Sequence, residues 1–497
     1  MFQAAGPCES IRKLIGKGNR FSAMRLRRWQ SRCVEQALVK FRNEENHFLC
    51  LATPGAGKTV MAATLAQQLL QLGMVDLVLC FSPSIIVSTD FQQALETYTH
   101  SRMDGRLGSK GQSLTYQSML SLEDAFWALF QTHRVLVIFD EIHHCAGDNL
   151  ENANAWGQTI IEHIQGRAAY TIALTGTPWR SDRIPIALSS YCQQNKIRCD
   201  FIYGMAQAIQ ENVCRVPSIT LVDNDRIIVK RGDTTERYSS FAELLKLSDC
   251  SYQQLIDNDA LIVYLLKKSS KKLMQIRKLH QNAGGLIVAA SVEHANKIAT
   301  LLERHLGQRA CVATYLDEDA HGTINSFRNS TQPWIISVGM VSEGTNIPRL
   351  RVCCHLTRVK TELHFRQVLG RVLRMGDIPG ESYLYLPAEP NLAEYANRVA
   401  EEIPESAIIR RDTMPNHDDE QPLAIKLQEP SHTEEITEII FENMPVGEAQ
   451  NNTNDEKPIH ISVLAQSYET TINVFGRFRQ ELLQLNRIYA QESSSPL

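Results

Sequence analysis

The apolar run HFLCLA, His47 to Ala52, ends in Thr-Pro-Gly-Ala-Gly-Lys-Thr, and apolar residues resume at helical spacing from Val60 to Leu72, where Gly73 stops them. That pattern predicts a buried strand, a glycine-rich turn and a helix. Further continuous apolar runs follow in DLVLCFS (76–82), VLVIFD (135–140) and YTIALTG (170–176), with helical stretches between them. Strands that are apolar throughout and alternate with helices belong to a parallel sheet covered on both faces, so residues 25–180 are expected to form one α/β domain. The rhythm restarts in GGLIVAAS (284–291) and continues through an amphipathic helix from Glu293 to His305, ACVATY, WIISVGM (334–340), RVCCHL (351–356), a helix from about Thr361 to Arg374, and SYLYLP. A second α/β domain over residues 284–387 is therefore expected, with residues 181–283 a less regular connector. Beyond residue 388 the rhythm stops. Leu464, Tyr468, Ile472, Phe475, Phe478, Leu482, Leu485 and Tyr489 recur every three or four residues, which predicts a terminal amphipathic helix in the extension 388–497. Docking on the protein's own core and association with a partner or a second copy are both open to that stripe.

Charge is uneven along the chain. The formal net charge is only -4, but the segment 1–24 and its continuation hold Arg12, Lys13, Lys17, Arg20, Arg25, Arg27, Arg28 and Arg32 against the single acid Glu9. The acidic stretches HDDEQP, TEEITE and NDEKP form a proline-containing linker after Arg411. A basic front suits a polyanion and equally suits a solvated face; the same two readings apply to Lys267, Lys268, Lys271, Lys272, Arg277 and Lys278 at the end of the connector. No run of about 18 apolar residues occurs and the first residues lack a signal-like apolar stretch, so a cytoplasmic location is expected. The 12 cysteines contain no CxxC pair, which argues against a zinc ribbon, an iron-sulfur cluster or a disulfide framework.

The turn after the first strand carries chemistry. Gly55 and Gly57 let main-chain N–H groups point at phosphate oxygens, the following helix adds its positive end, Lys58 can reach the β- and γ-phosphates, and the Thr59 hydroxyl can ligate Mg²⁺. Ala52 stands where the strict phosphate-loop pattern has glycine. The strand VLVIF delivers Asp140, Glu141, Ile142 and His143 at its carboxyl end, where open parallel sheets bind ligands. One carboxylate can hold Mg²⁺ while its neighbour polarises an attacking water. A zinc site built on His143, His144 and Cys145 finds no complementary pair nearby.

The phosphate loop ATPGAGKT, the box DEIH, LTGTP (Leu174 to Pro178), EGTNIP (Glu343 to Pro348) and QVLGRVLR (Gln367 to Arg374) stand in the order and spacing of a superfamily-2 DExH-type helicase, and the chain resembles that family over about residues 25–387. LRRWQ (Leu26 to Gln30), LTYQSM (Leu114 to Met119), TGTPWR and AIQENVCRVP (Ala208 to Pro217) resemble the branch of RadD and the type III restriction subunits, close to the XPB-like helicases. Asn346 stands where many relatives have aspartate, and Arg27 and Arg28 where a proline or aromatic is frequent.

The resemblance implies two tandem RecA-like parallel-sheet domains followed by a largely helical, partly disordered extension. It also implies ATP and Mg²⁺ as cofactors. Nucleotide contacts would fall to Gln30, which reads the adenine edge, and to Thr53, Pro54, Gly55, Ala56, Gly57, Lys58, Thr59 and Gly344. Thr59 and Asp140 would hold Mg²⁺, and Glu141 would be the general base. Gln367, Arg371 and Arg374 would reach the γ-phosphate from the second domain. His143, Thr175 and Thr177 would couple the ATP site to a nucleic-acid path lined by Ser82, Pro83, Thr115, Tyr116, Gln117, Ser291, Gly339 and Glu343. An ATP-driven DNA helicase or duplex translocase in repair, restriction or phage defence is the leading expectation. An RNA helicase and a nucleotide-gated clamp that recruits partners without unwinding are the alternatives. Residues 388–497 hold no metal-nuclease pattern, so any cleavage is expected from a separate nuclease subunit.

Overall fold

The computed structural model describes residues 26–403 except 179, 181, 183, 195, 232–233, 318, 340–346 and 377–379, together with the backbone of three strands within 407–485. The chain opens on helix α1 (Arg28–Arg42), whose buried face of Trp29, Cys33, Ala37 and Phe41 lies on the first sheet. That sheet contains β1 (His47–Ala52), β2 (Leu77–Ser82), β3 (Gly111–Thr115), β4 (Val135–Phe139), β5 (Tyr170–Thr175) and β6 (Phe201–Tyr203) in the order β3-β2-β4-β5-β1-β6. Every neighbouring pair is parallel. All five residues of β4 are buried, as strands covered on both faces require. Between the strands run α2 (Lys58–Gln71) and α3 (Ile85–Thr99). The order sets β1 beside β5 and β5 beside β4, so the chain segments leaving their carboxyl ends meet at one edge of the sheet.

The second sheet holds β7 (Pro217–Asn224), β8 (Gly284–Ala289), β9 (Ala310–Thr314), β10 (Trp334–Val338), β11 (Leu350–Leu356) and β12 (Ser382–Pro387) in the order β9-β10-β8-β11-β12-β7, again all parallel. Helices α4 (Asp259–Leu279), α5 (Val292–Leu306), α6 (Ala320–Asn329), α7 (Glu362–Leu373) and α8 (Pro390–Glu401) accompany it. On α5 the buried residues Ala295, Ile298, Leu301 and Leu302 form the expected helical stripe.

Two expectations change. Residues 181–283 are not one irregular connector: β6 completes the first sheet, β7 joins the second, and α4 covers the second. Of the cationic run on α4, Arg277 donates to the carbonyls of Ala283 and Thr331, and the Lys272 ammonium lies 4.0 Å from the centre of the Tyr383 ring. The terminal stripe is not a helix where it is described. Ile472–Val474 pairs antiparallel with Ile227–Arg231, while Phe478–Leu485 pairs antiparallel with β7 and carries Ala407–Asp412 on its outer side. An edge strand presents a row of unpaired main-chain groups, and satisfying β7 in this way outweighs a helical side-chain period. The segment 1–24, the acidic linker and the remainder of the stripe lie outside the described residues. No described helix is long and apolar enough to cross a membrane.

Buried histidines make the fold acid-sensitive. Burial lowers His355 from 6.5 to about 3, with His364 adding a smaller push, and lowers His47 from 6.5 to about 4. Between pH 6.5 and 4 the unfolded chain binds protons that the folded chain does not, so stability falls as pH falls through that window. Urea midpoints should drop from pH 6.5 to pH 4, and His355→Leu should make the drop shallower. An unchanged slope in that variant would remove His355 from the cause.

Candidate functional site

β1 runs straight into the glycine turn. Ala52, the position that departs from the strict pattern, is still strand: it pairs with Tyr203 of β6 and is fully buried, so its methyl group points into the core and not into the turn. Gly55 and Gly57 adopt φ of 84° and 95°, the left-handed region that an L side chain enters at a cost. Gly57 precedes α2, so the turn and the first helical N–H groups form a concave row of donors of the kind that holds phosphate. Thr53 and Ala56 brace the turn from inside, Thr53 N–H donating to Tyr203 at 3.0 Å and Ala56 N–H to Thr53 at 3.2 Å.

Asp140 follows β4, its N–H bound to the Phe81 carbonyl at 2.9 Å. The Lys58 ammonium stands 3.0 Å from Glu141 Oε1 and 3.3 Å from the Ala52 carbonyl. Glu141 Oε2 accepts from Gly176 N–H at 3.2 Å and lies 3.4 Å from His143 Nδ1. His143 Nδ1 is 3.0 Å from Thr175 Oγ1, whose hydroxyl donates to the Thr177 carbonyl at 2.8 Å and accepts from Thr177 N–H at 3.1 Å. The three residues expected to couple the site to its surroundings thus form one chain of contacts running back from Glu141. Burial keeps His143 neutral, lowering it to about 3 against the opposing pull of Glu141.

The two carboxyls are held differently. Burial, reinforced by the neighbouring Glu141 charge, raises Asp140. At Glu141 burial is the largest influence and acts in the same direction, but Lys58, His143 and the Gly176 N–H together outweigh it and the carboxyl falls well below its usual range. At Asp140 Lys58 and Arg371 offset only part of the upward push, and a divalent ion held with the Thr59 hydroxyl fits the deficit that remains.

The second wall comes from the other sheet. Gln367 and Arg371 of α7, with Arg374 just beyond it, line the same cleft of about 690 Å³ as Gln30, Pro54, Gly55, Gly57, Lys58, Thr59, Asp140, Glu141 and Thr177. The walls nearly touch: a Cβ on Gly370 would lie 2.5 Å from Pro54 Cβ, and one on Gly55 would lie 2.9 Å from Arg374 Cγ. Gln30 is 3% exposed, accepts from Arg27 N–H at 2.8 Å and donates to the Gly57 carbonyl at 2.9 Å.

Several residues in or beside the cleft had no role read from the sequence. Arg27 donates to the Ala56 carbonyl at 2.6 Å, and Arg180 donates to the His143 carbonyl while paired with Asp182. Asp90 and Arg328 line the cleft from helices with no motif. Gly344 lies outside the described residues.

The expected nucleic-acid residues divide. Pro83, Thr115 and Gln117 line a groove of about 490 Å³ with Ser84, Ile85 and Leu120. Ser82 and Tyr116 are corrections, because both side chains are fully buried. Tyr116 stacks on Trp156 at 5.6 Å and its hydroxyl donates to the Asp140 carbonyl at 2.8 Å, so it supports the carboxylate turn and cannot touch a ligand in the groove. On the second sheet, Ser291 caps α5 by accepting from His294 N–H, and Gly339 is exposed after β10. Glu343 lies outside the described residues.

The family model for the type III restriction enzyme res subunit matches residues 23–180, and that for the helicase conserved C-terminal domain matches residues 268–376. An uncharacterized protein of Mycobacterium leprae (strain TN) is 28% identical over 500 residues, covering 95% of this chain and 82% of its own length. One of Mycobacterium tuberculosis (strain ATCC 25618 / H37Rv) is 30% identical over 389 residues, covering 75% of this chain and 63% of its own. Among solved structures, the ATP-dependent Type ISP restriction-modification enzyme LlaBIII bound to DNA is similar in fold, with a TM-score of 0.51 and 16% identity over 76% of this chain and 30% of that one.

Gly55→Ala should combine a left-handed φ, which costs an L residue roughly 1–2 kcal/mol, with a Cβ forced against Arg374. Thermal melting should fall by several degrees. Melting at the parent temperature would mean that the turn does not hold this conformation.

Proposed function

Because this chain belongs to the superfamily-2 helicases, related to the type III restriction subunit, we propose that its ATP hydrolysis drives movement along DNA, as a helicase or a duplex translocase. The observation that carries the reading is the cleft whose one wall is the phosphate turn with Asp140 and Glu141 and whose other wall is Gln367, Arg371 and Arg374. A site split between two domains is complete only when they are together, so hydrolysis and domain closure are linked. DNA is preferred over RNA because LRRWQ, TGTPWR and AIQENVCRVP follow the restriction branch. Repair, restriction and phage defence are the settings this suits.

In this mechanism the N–H groups of the turn and of α2 bind the phosphates, and Lys58 moves from Glu141 to the β- and γ-phosphate oxygens. Thr59 and Asp140 would hold Mg²⁺, which would supply charge neutralisation at the phosphates. Glu141, freed from Lys58, accepts a proton from the attacking water. Arg371 and Arg374 neutralise charge developing on the γ-phosphoryl group, with Gln367 orienting it. The change at Glu141 reaches Thr175 and Thr177 through His143, and Pro83, which lines the cleft with Thr177, also lines the groove of Thr115 and Gln117 where the phosphate backbone is gripped.

Three variants separate these roles. Lys58→Ala should weaken Mg-ATP binding. Glu141→Gln should retain ATP and nucleic acid but lose roughly 10²- to 10⁴-fold in turnover, since an amide cannot accept the proton. Arg374→Ala should leave ATP affinity near the parent value and lower stimulated turnover by roughly 10³-fold or more. Nucleotide binding measured beside steady-state ATPase, with matched duplex DNA, single-stranded DNA and RNA, checks all three. Stimulation by RNA alone would assign the chain to RNA, and ATP-dependent affinity without strand separation or translocation would make it a clamp.

A further inference from the structure

The segment joining the two sheets touches both walls of the cleft. Cys214 Sγ lies 3.8 Å from the carbonyl of Pro54, in the phosphate turn, and Cys214 pairs with Arg374 in an isolated antiparallel bridge. The next residue, Arg215, is 3% exposed. Its N–H donates to the Leu373 carbonyl at 2.7 Å. Its guanidinium donates to three more main-chain carbonyls, Leu350 at 2.8 Å, Val372 at 3.2 Å and Pro348 at 3.1 Å.

Those acceptors are not scattered. Val372 and Leu373 are the residues between Arg371 and Arg374, at the end of α7, where a helix leaves its last carbonyls without internal partners. Pro348 closes the EGTNIP stretch and itself lines the cleft. A cation at a helix carboxyl end is favoured by the helix dipole, but a cation taken out of water with carbonyls as its hydrogen-bond partners is costly. Burial accordingly lowers Arg215 to about 9. A planar fork that spans several carbonyls at fixed spacing is what arginine offers and lysine does not.

We propose that Arg215 is a positioning residue for ATP turnover: from the interdomain segment it fixes the end of α7, and thereby the places of Arg371 and Arg374 relative to the phosphate turn. This rests on the assignment of those two arginines to the γ-phosphate. A shift of about 1 Å at a catalytic group can cost on the order of 10²-fold, so the grip on Val372 and Leu373 bears on rate while leaving the nucleotide-binding wall untouched.

The test compares Arg215→Lys, Arg215→Gln, Arg374→Ala and the Arg215→Lys/Arg374→Ala double variant in the full chain. Duplex DNA or RNA is added at saturation, whichever stimulates the parent. Arg277→Met is the control, because Arg277 also bonds two carbonyls but outside the cleft. Arg215→Lys should lower kcat by about tenfold or more with KM for ATP within about threefold of the parent. The double variant should lose less than the product of the two single losses, because part of the effect of Arg215 runs through Arg374 and the rest through Arg371. Multiplying effects, a raised KM with unchanged kcat, or unfolding of both Arg215 variants while Arg277→Met stays folded would each overturn the proposal. If Arg374→Ala itself turns over at the parent rate, the assignment of the arginines fails. If it is slow and Arg215→Lys is not, only the positioning role fails.

Discussion

A neighbouring side chain can lie directly on a main chain only where that main chain carries no side chain of its own, and the two walls of the cleft meet at two such points. Gly55 faces Arg374, and Gly370 faces Pro54, each with room for a hydrogen and not for a methyl group. The phosphate turn belongs to one sheet and the arginine helix to the other, so neither domain contains a complete site. Everything that holds the two sheets in register, from the segment 204–216 to the strands it joins, also sets the geometry of the cleft.

Within that cleft, charge is distributed unequally between neighbours. Glu141 has a lysine, a main-chain N–H and a histidine around it, while at Asp140 burial and the Glu141 charge outweigh the pull of Lys58 and Arg371. The arrangement favours entry of a ligand that carries both an anion for Lys58 and a cation for Asp140. A metal-nucleotide complex carries that combination of charges.

Much of this was legible in the sequence for a specific reason. Strands buried on both faces must be apolar throughout, so β1, β2, β4, β5, β8, β10 and β11 could be read directly, and the residues at their carboxyl ends followed. Side chains whose neighbours are distant in sequence were not legible. Tyr116 lies in a motif and was read as a ligand contact, yet its ring is enclosed against Trp156 and its hydroxyl is spent on Asp140. Arg27 reads in the sequence as part of a basic front and of LRRWQ, where it departs from a common pattern, although it bonds the turn itself. The terminal stripe of apolar residues has helical spacing, but the open edge of β7 decides its conformation, and an open edge leaves no mark in the sequence that fills it. Asp90 and Arg328 reach the cleft from ordinary helices, where nothing in their spacing distinguishes them from surface residues.

The strands β6 and β7 are the last of one sheet and the first of the other along the chain, and each neighbours an element of the cleft. β6 lies against β1, which runs into the phosphate turn, and β7 lies against β12, the strand that follows α7. Between them stand only residues 204–216, part of which is the short helix Met205–Gln210. At about 3.3–3.6 Å per residue even a fully stretched tether of this length reaches only roughly 45 Å, and with its helix intact much less. The domains are therefore leashed by a short strap fastened at both ends beside the working parts. A load applied to the second domain is delivered through that strap to the strand beside the first domain's phosphate turn.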